Sequence, residues 1–326
     1  MKKSKIIGII FMLVSLGFIL REVLRLDISA LRIEHPLQAA FYIFLFLCLT
    51  VVSVILAVFA WRNILTAIDG EQPAFEEVFK VYVKANVAKY LPGNVLHYAG
   101  RNILGSRLGW KHSDILLSSF LEVIMILISA AVFLMIFAYG QFVDVMADAM
   151  RNAVDNPIIA VLILLGIVII LGGILFIYYK RRDIFDKLRL LFTARFLKVL
   201  LINFCLYTGT FLILGLVLTF IFSGIFQIGK PGASEVLLII SASVLSWFAG
   251  FITPGAPGGL GVREAVLILM LSPIYGREYT LAAALIHRLI SILGDAAAFG
   301  LGMILENPKG EKLYKVFFGR LKTDEQ

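Results

Sequence analysis

Six charged residues stand inside otherwise apolar stretches: Arg101, Arg263 and Arg288, and Glu122, Glu264 and Asp295. Charge at membrane depth is rare and usually functional. A guanidinium stays ionised and offers a rigid fork of N–H donors that grips a phosphate in bidentate fashion. The three arginines therefore suit an anion that must be held away from water. The three carboxylates can neutralise them when no anion is bound, or take up a coupling proton; structural ion pairs are the alternative. His97 and His287 accompany Arg101 and Arg288 and complete the set of candidate substrate-binding residues. His35, His97, His112 and His287 show no ligand spacing, so neither a metal nor a cofactor is expected. No nucleophile–His–acid set stands out, so no catalytic residue is assigned. Gly259 and Gly261 lack the third glycine of a dinucleotide fingerprint.

Two breaks in the chain must position these charges. The segment 251–264, FITPGAPGGLGVRE, interrupts an apolar run with Pro254, Gly255, Pro257, Gly258, Gly259 and Gly261. Proline removes a backbone donor and glycine allows φ/ψ closed to other residues. In hydrocarbon, backbone freed in this way is tolerated only where it is buried in protein or lines a wet cavity. A second break, Pro92, Gly93 and Asn94, separates the amphipathic stretch 75–90 from 95–108. Each leg is shorter than the ~20 residues a spanning helix needs, which predicts a re-entrant hairpin. An interfacial helix pair lying flat is the alternative, and for 251–264 the alternative is an ordinary loop. Helices starting after each break would aim N–H donors at an anion.

Composition fixes the setting. Hydrophobic residues make up 60% and charged residues 16% of the chain, and mean hydropathy is +0.94. These values describe an integral membrane protein, a single membrane domain over 1–326. The net charge of +8 sits mostly in juxtamembrane clusters and reads as topology and anionic-lipid contact, not nucleic-acid binding. Spans are predicted over 6–24, 39–60, 114–138, 157–179, 199–226 and 281–305, with Trp61 and Arg62 as interfacial anchors. Lys2, Lys3 and Lys5 precede the first span, and no small-residue cleavage site follows Leu20, so that span is expected to be uncleaved. Asn203, Tyr207 and Thr210 share one face of the fifth span. Cys48 and Cys205 lie within spans and read as small hydrophobes. Lys and Arg counts put both termini, 62–111 and the amphipathic basic segment 180–198 on the cytoplasmic side of the cell membrane. The acidic loop 144–155 falls outside, and 306–326 forms a cytoplasmic tail.

Pro92 and Pro254 are 162 residues apart (254 − 92), and Arg101 and Arg263 each follow their proline by nine residues. The same shift carries 6–24 onto 157–179, 39–60 onto 199–226, the first hairpin onto the second, and 114–138 onto most of 281–305. The halves, about 6–138 and 157–305, start on opposite sides. They form an inverted repeat, each with three spans and one re-entrant hairpin, within an all-α polytopic bundle. Secondary transporters use this architecture, with sites where broken helices of the two halves meet.

Four segments carry a family resemblance: YLPGNVLHYAGR (90–101), SSFLE (118–122), TPGAPGGLGVRE (253–264) and His287-Arg288. Together they resemble the transmembrane region of the lysylphosphatidylglycerol synthase family, a flippase-like domain also found alone. The resemblance covers essentially the whole chain and implies movement of an anionic phospholipid or a polyprenyl-phosphate-linked precursor between leaflets. In two-domain members, the membrane part moves aminoacylated phosphatidylglycerol made by an appended soluble synthase. This chain stops at Gln326 without such a domain, so it is not expected to make that lipid, and its cargo stays open. A non-catalytic scaffold for a separate synthase or glycosyltransferase is one alternative, and a membrane-embedded head-group transferase another. The oligomeric state is open.

Overall fold

The computed structural model describes residues 35–90, 96–140, 193–253, 257–259 and 261–305. The expected spans 6–24 and 157–179, the loop 144–155, the basic residues 180–192 and the tail lie outside the described residues. So do Pro92, Gly93, Asn94, Pro254 and Gly255.

The protein is an all-α polytopic membrane protein, and no strand occurs among the described residues. Helix α1 (Pro36–Asp69) starts with proline at its first position and ends at Gly70, whose φ of 84° forms a left-handed cap. It is longer than the 39–60 expected, because nothing breaks the helix before Gly70. Trp61 is consequently not an interfacial anchor. It is fully buried and donates Nε1–H to Ser118 Oγ at 3.0 Å. Arg62 donates to the Pro73 carbonyl at 2.8 Å. Helix α2 (Phe75–Asn86) continues into the 3-10 turn Val87–Tyr90, and α3 (Leu96–Ser106) runs back along it. Helix α4 is His112–Phe137. Helix α5 (Ala194–Phe220) is capped by Thr193 and prolonged by the π-helical turn Ile221–Ile225. Helix α6 (Ala233–Ile252), the 3-10 turn Pro257–Gly259 and α7 (Val262–Tyr275) make the second hairpin, and α8 is Arg277–Ile304.

Helices α1, α4, α5, α6 and α8 are each long and apolar enough to cross a membrane. Each buries between 33% and 50% of its most apolar window, so much of the remainder, Phe41, Phe44, Leu201 and Leu289 among it, faces outward as a lipid-facing surface does. Helix α7 has 14 residues, about 21 Å at 1.5 Å each, against a hydrocarbon core of about 30 Å. Helix α6, with 20 residues, spans about 30 Å. The first hairpin is packed into the bundle: Val78, Phe79, Val81, Tyr82 and Val83 of α2 are buried against α1, with Ala298 of α8 in the same cluster. A flat interfacial pair would expose that face to lipid.

Two sets of four helices share one packing scheme. Exchange α1–α4 for α5–α8 in order, and every well-packed helix pair has its counterpart. Thus α1 on α8 answers to α5 on α4, and α2 on α8 to α6 on α4. Helix α1 packs directly on its equivalent α5, and the turn Val87–Tyr90 meets the turn Pro257–Gly259.

Candidate functional site

Where the two hairpin turns meet, a cavity of about 190 Å³ opens. Its walls are the mid-lengths of four long helices: Thr50 and Ser53 on α1, Glu122 and Ile126 on α4, Thr210 and Leu214 on α5, and Arg288, Ser291 and Asp295 on α8. Tyr82, Asn86, Lys89 and Tyr90 enter from the first hairpin's outgoing leg, and His97, Tyr98 and Arg101 from its return leg. Trp247, Phe251, Gly258 and Arg263 enter from the second hairpin.

The structure thus brings together Arg101, Arg263, Arg288, Glu122, Asp295 and His97, which are far apart in sequence. Glu264 and His287 do not line the cavity. Glu264 Oε2 instead accepts the Gly261 N–H at 2.7 Å and caps α7. His287 turns its Nε2 to the Leu214 carbonyl, 3.1 Å away, and so ties α8 to α5.

Two cations on the walls are paired. Arg101 is 2% exposed and pairs through Nη1 with Glu122 Oε2, while Tyr82 donates its hydroxyl to Glu122 Oε1 at 3.1 Å. Aromatic rings surround its guanidinium carbon, with centroids at 3.9 Å (Tyr82), 4.9 Å (Trp61) and 5.3 Å (Tyr98). Such contacts favour a cation that has lost its water. Lys89 lies 2.6 Å from Asp295 Oδ2, which also accepts the Tyr90 hydroxyl, and Asn86 donates to Asp295 Oδ1 at 2.9 Å. Asp295 thereby fastens α8 to the first hairpin.

Arg101 Nε is nonetheless buried without a hydrogen-bond partner among the described residues. Arg263 and Arg288 differ in making no ion pair with a carboxylate of the described residues. Arg288 Nη1 donates to the Gly258 carbonyl at 2.8 Å, but its buried Nε and Nη2 have no partner among the described residues, nor has Arg263 Nε. The two guanidiniums rest on adjacent backbone. A Cβ on Gly259 would stand 2.7 Å from Arg263 Nε, and one on Gly258 would stand 2.9 Å from Arg288 Nη2. Both glycines have positive φ, 76° and 57°, so the turn needs glycine at each on two counts. Ser246 Oγ holds the Arg263 carbonyl at 2.9 Å and fixes α7 against α6.

The geometry is a cationic pocket set between long apolar helices and the two hairpins. The family model described as Lysylphosphatidylglycerol synthase TM region matches residues 5–298. The chain belongs to that family. No curated protein matches it. Family membership accords with a lipid-related membrane role, and among the described residues the cavity gathers buried Arg101, Glu122 and Asp295.

Some of the site was missed in the sequence. Tyr82, Asn86, Lys89 and Tyr90 recur at helical spacing, and that polar stripe was the available signal. Of the polar face on α5, Thr210 reaches the cavity. Asn203 instead bonds the Ala60 carbonyl at 2.9 Å and accepts from Asn63 Nδ2 at 3.1 Å, joining α5 to α1.

Proposed function

We propose that the protein is a carrier that moves a lipid with an anionic phosphate headgroup between the leaflets of the cell membrane. The headgroup passes through the cavity at the hairpin tips, and the acyl or prenyl chains stay in the bilayer. The observation that carries this reading is the pair Arg263 and Arg288, which keep buried N–H donors unspent in a cavity at the mid-length of the long apolar helices. Desolvating an ion costs several kcal/mol, so such donors imply a partner of opposite charge. In that setting the available anions of matching geometry are lipid phosphates.

The exchangeable packing of the two helix sets supports a two-halved carrier. Inverted halves would let the cavity open to one side and then the other. In this reading the termini are cytoplasmic, the protein works without a cofactor, and it does no covalent chemistry on its cargo. Anionic phospholipids and polyprenyl-phosphate-linked precursors are the candidate cargo classes.

The test is lipid exchange in liposomes containing the purified full chain. Fluorescent phosphatidylglycerol, phosphatidic acid and a short polyprenyl phosphate are each exposed to a membrane-impermeant quencher. For at least one of them, inner-leaflet probe should become quenchable with protein and stay protected without it. Protection of all three in the presence of folded protein contradicts the proposal.

A further inference from the structure

The cavity's charge and shape narrow the headgroup further. We infer that it is built for a phosphomonoester, a terminal phosphate carrying two negative charges, in preference to a phosphodiester carrying one. This inference rests on the cavity being the lipid site proposed above.

Charge is the first reason. Among the described residues the walls carry four cations of Lys and Arg, Lys89, Arg101, Arg263 and Arg288, and two carboxylates, Glu122 and Asp295. Both carboxylates are engaged, by Arg101 and by Lys89. No carboxylate of the described residues makes an ion pair with Arg263 or Arg288. Glu264 is buried next to Arg263 in sequence, but its carboxylate is turned to the Gly261 N–H, where it meets the partial positive charge of the α7 N-terminus. Two positive charges therefore stand side by side on Gly258 and Gly259. A monoanion would leave one of them uncompensated; a dianion matches both.

Donor geometry is the second reason. On Arg263 and Arg288 the unspent buried donors are three nitrogens, Arg263 Nε and Arg288 Nε and Nη2; on the wall formed by the first hairpin, Arg101 Nε and the ring nitrogen His97 Nδ1 are also buried without a partner. The hydroxyls of Thr50, Ser53, Thr210 and Ser291 donate to carbonyls of their own helices. A phosphomonoester presents three strong acceptor oxygens, which can meet the three on Arg263 and Arg288. A diester presents two non-bridging oxygens, one of which would have to accept from two of these nitrogens.

Size is the third. A volume of about 190 Å³ holds roughly six waters at their ~30 Å³ share of the liquid. It falls below the roughly 300 Å³ at which sites for drug-sized ligands begin. A phosphate and a few waters fit this space.

The experiment measures binding to the purified full chain in detergent at about pH 8, where a monoester carries close to two charges. The probes are dihexanoyl phosphatidic acid (monoester), dihexanoyl phosphatidylglycerol (diester) and inorganic phosphate, each read by thermal stabilisation and by Trp fluorescence. Phosphatidic acid should bind more than about tenfold tighter than phosphatidylglycerol, because one more charge pair is satisfied away from water. Inorganic phosphate should bind more weakly than phosphatidic acid. Arg288→Gln and Arg263→Gln should each remove the preference between the two lipids, and Arg288→Lys should restore it in part. Equal or tighter binding of phosphatidylglycerol overturns the monoester assignment and leaves the carrier standing. Inorganic phosphate binding as tightly as phosphatidic acid overturns the lipid as the source of the phosphate. Absence of binding by all three probes overturns the cavity as a phosphate site, and the carrier with it.

Discussion

Arg101 and Arg263 follow their prolines at the same distance, on equivalent helices of two hairpins whose turns touch. Their surroundings are opposite. Arg101 is enclosed by three aromatic rings and closed by Glu122. Arg263 lies against glycine, with its neighbouring acid turned away to cap a helix and Arg288 close by. Arg101 ties its hairpin to α4 through an ion pair, whereas Arg263 makes none with a carboxylate of the described residues. An equal offset in sequence thus places two residues without giving them the same surroundings. What separates them is the third residue in each neighbourhood: an acid from α4 on one side, an arginine from α8 on the other.

The sharpest way to break this comparison is to remove each arginine and read transport and stability separately. Arg288→Ala should reduce lipid exchange by at least about 100-fold, since two charge-assisted hydrogen bonds at about 1.5–3 kcal/mol each disappear with it. Its melting temperature should stay the same or rise, because an uncompensated charge has gone. Arg101→Ala should act through folding: leaving Glu122 buried without its partner costs about 3–5 kcal/mol. Thermal unfolding in detergent should show that loss, and replacing both members by Arg101→Met and Glu122→Met should recover most of it. A stable, inactive Arg101→Ala would give the two arginines equal roles after all.

Smaller changes sharpen the contrast. Gly258→Ala puts a side chain on a residue with φ 57° and against Arg288 Nη2. It should lower exchange about tenfold while costing about 1 kcal/mol in stability, read by the same two assays. Tyr90→Phe deletes one hydrogen bond to Asp295 and keeps Lys89 and Asn86 in place. Its effect should be the smallest, about 1 kcal/mol or a few-fold in rate, measured by quencher kinetics in liposomes.

Much of the fold was legible because hydrocarbon imposes simple rules. Long apolar runs marked α1, α4, α5 and α8 as spanning helices, and Pro/Gly breaks marked the two hairpins, while the expected spans 6–24 and 157–179 lie outside the described residues. The end of α1 was missed by nine residues, since an aromatic and an arginine after an apolar run resemble an interface. Here Trp61 turns inward to Ser118 instead. The gathering of Arg101, Arg263, Arg288, Glu122 and Asp295 was foreseeable from their cost in an apolar setting. Their pairing was not: Lys89 with Asp295 spans 206 positions (295 − 89), and nothing local in either stretch announces it. Glu264 shows the limit most plainly. Three residues beyond Gly261, it carries a helix-capping signature as well as a buried-charge signature, and the capping role is the one the fold uses.

The measurement that bears most directly on this division of roles is an experimental density map of the protein in lipid nanodiscs containing phosphatidic acid. A phosphate peak should lie about 3 Å from Arg263 Nε and from Nε and Nη2 of Arg288, with Arg101 still paired to Glu122. A headgroup held by Arg101, with Glu122 displaced and Arg263 and Arg288 paired elsewhere, would contradict it.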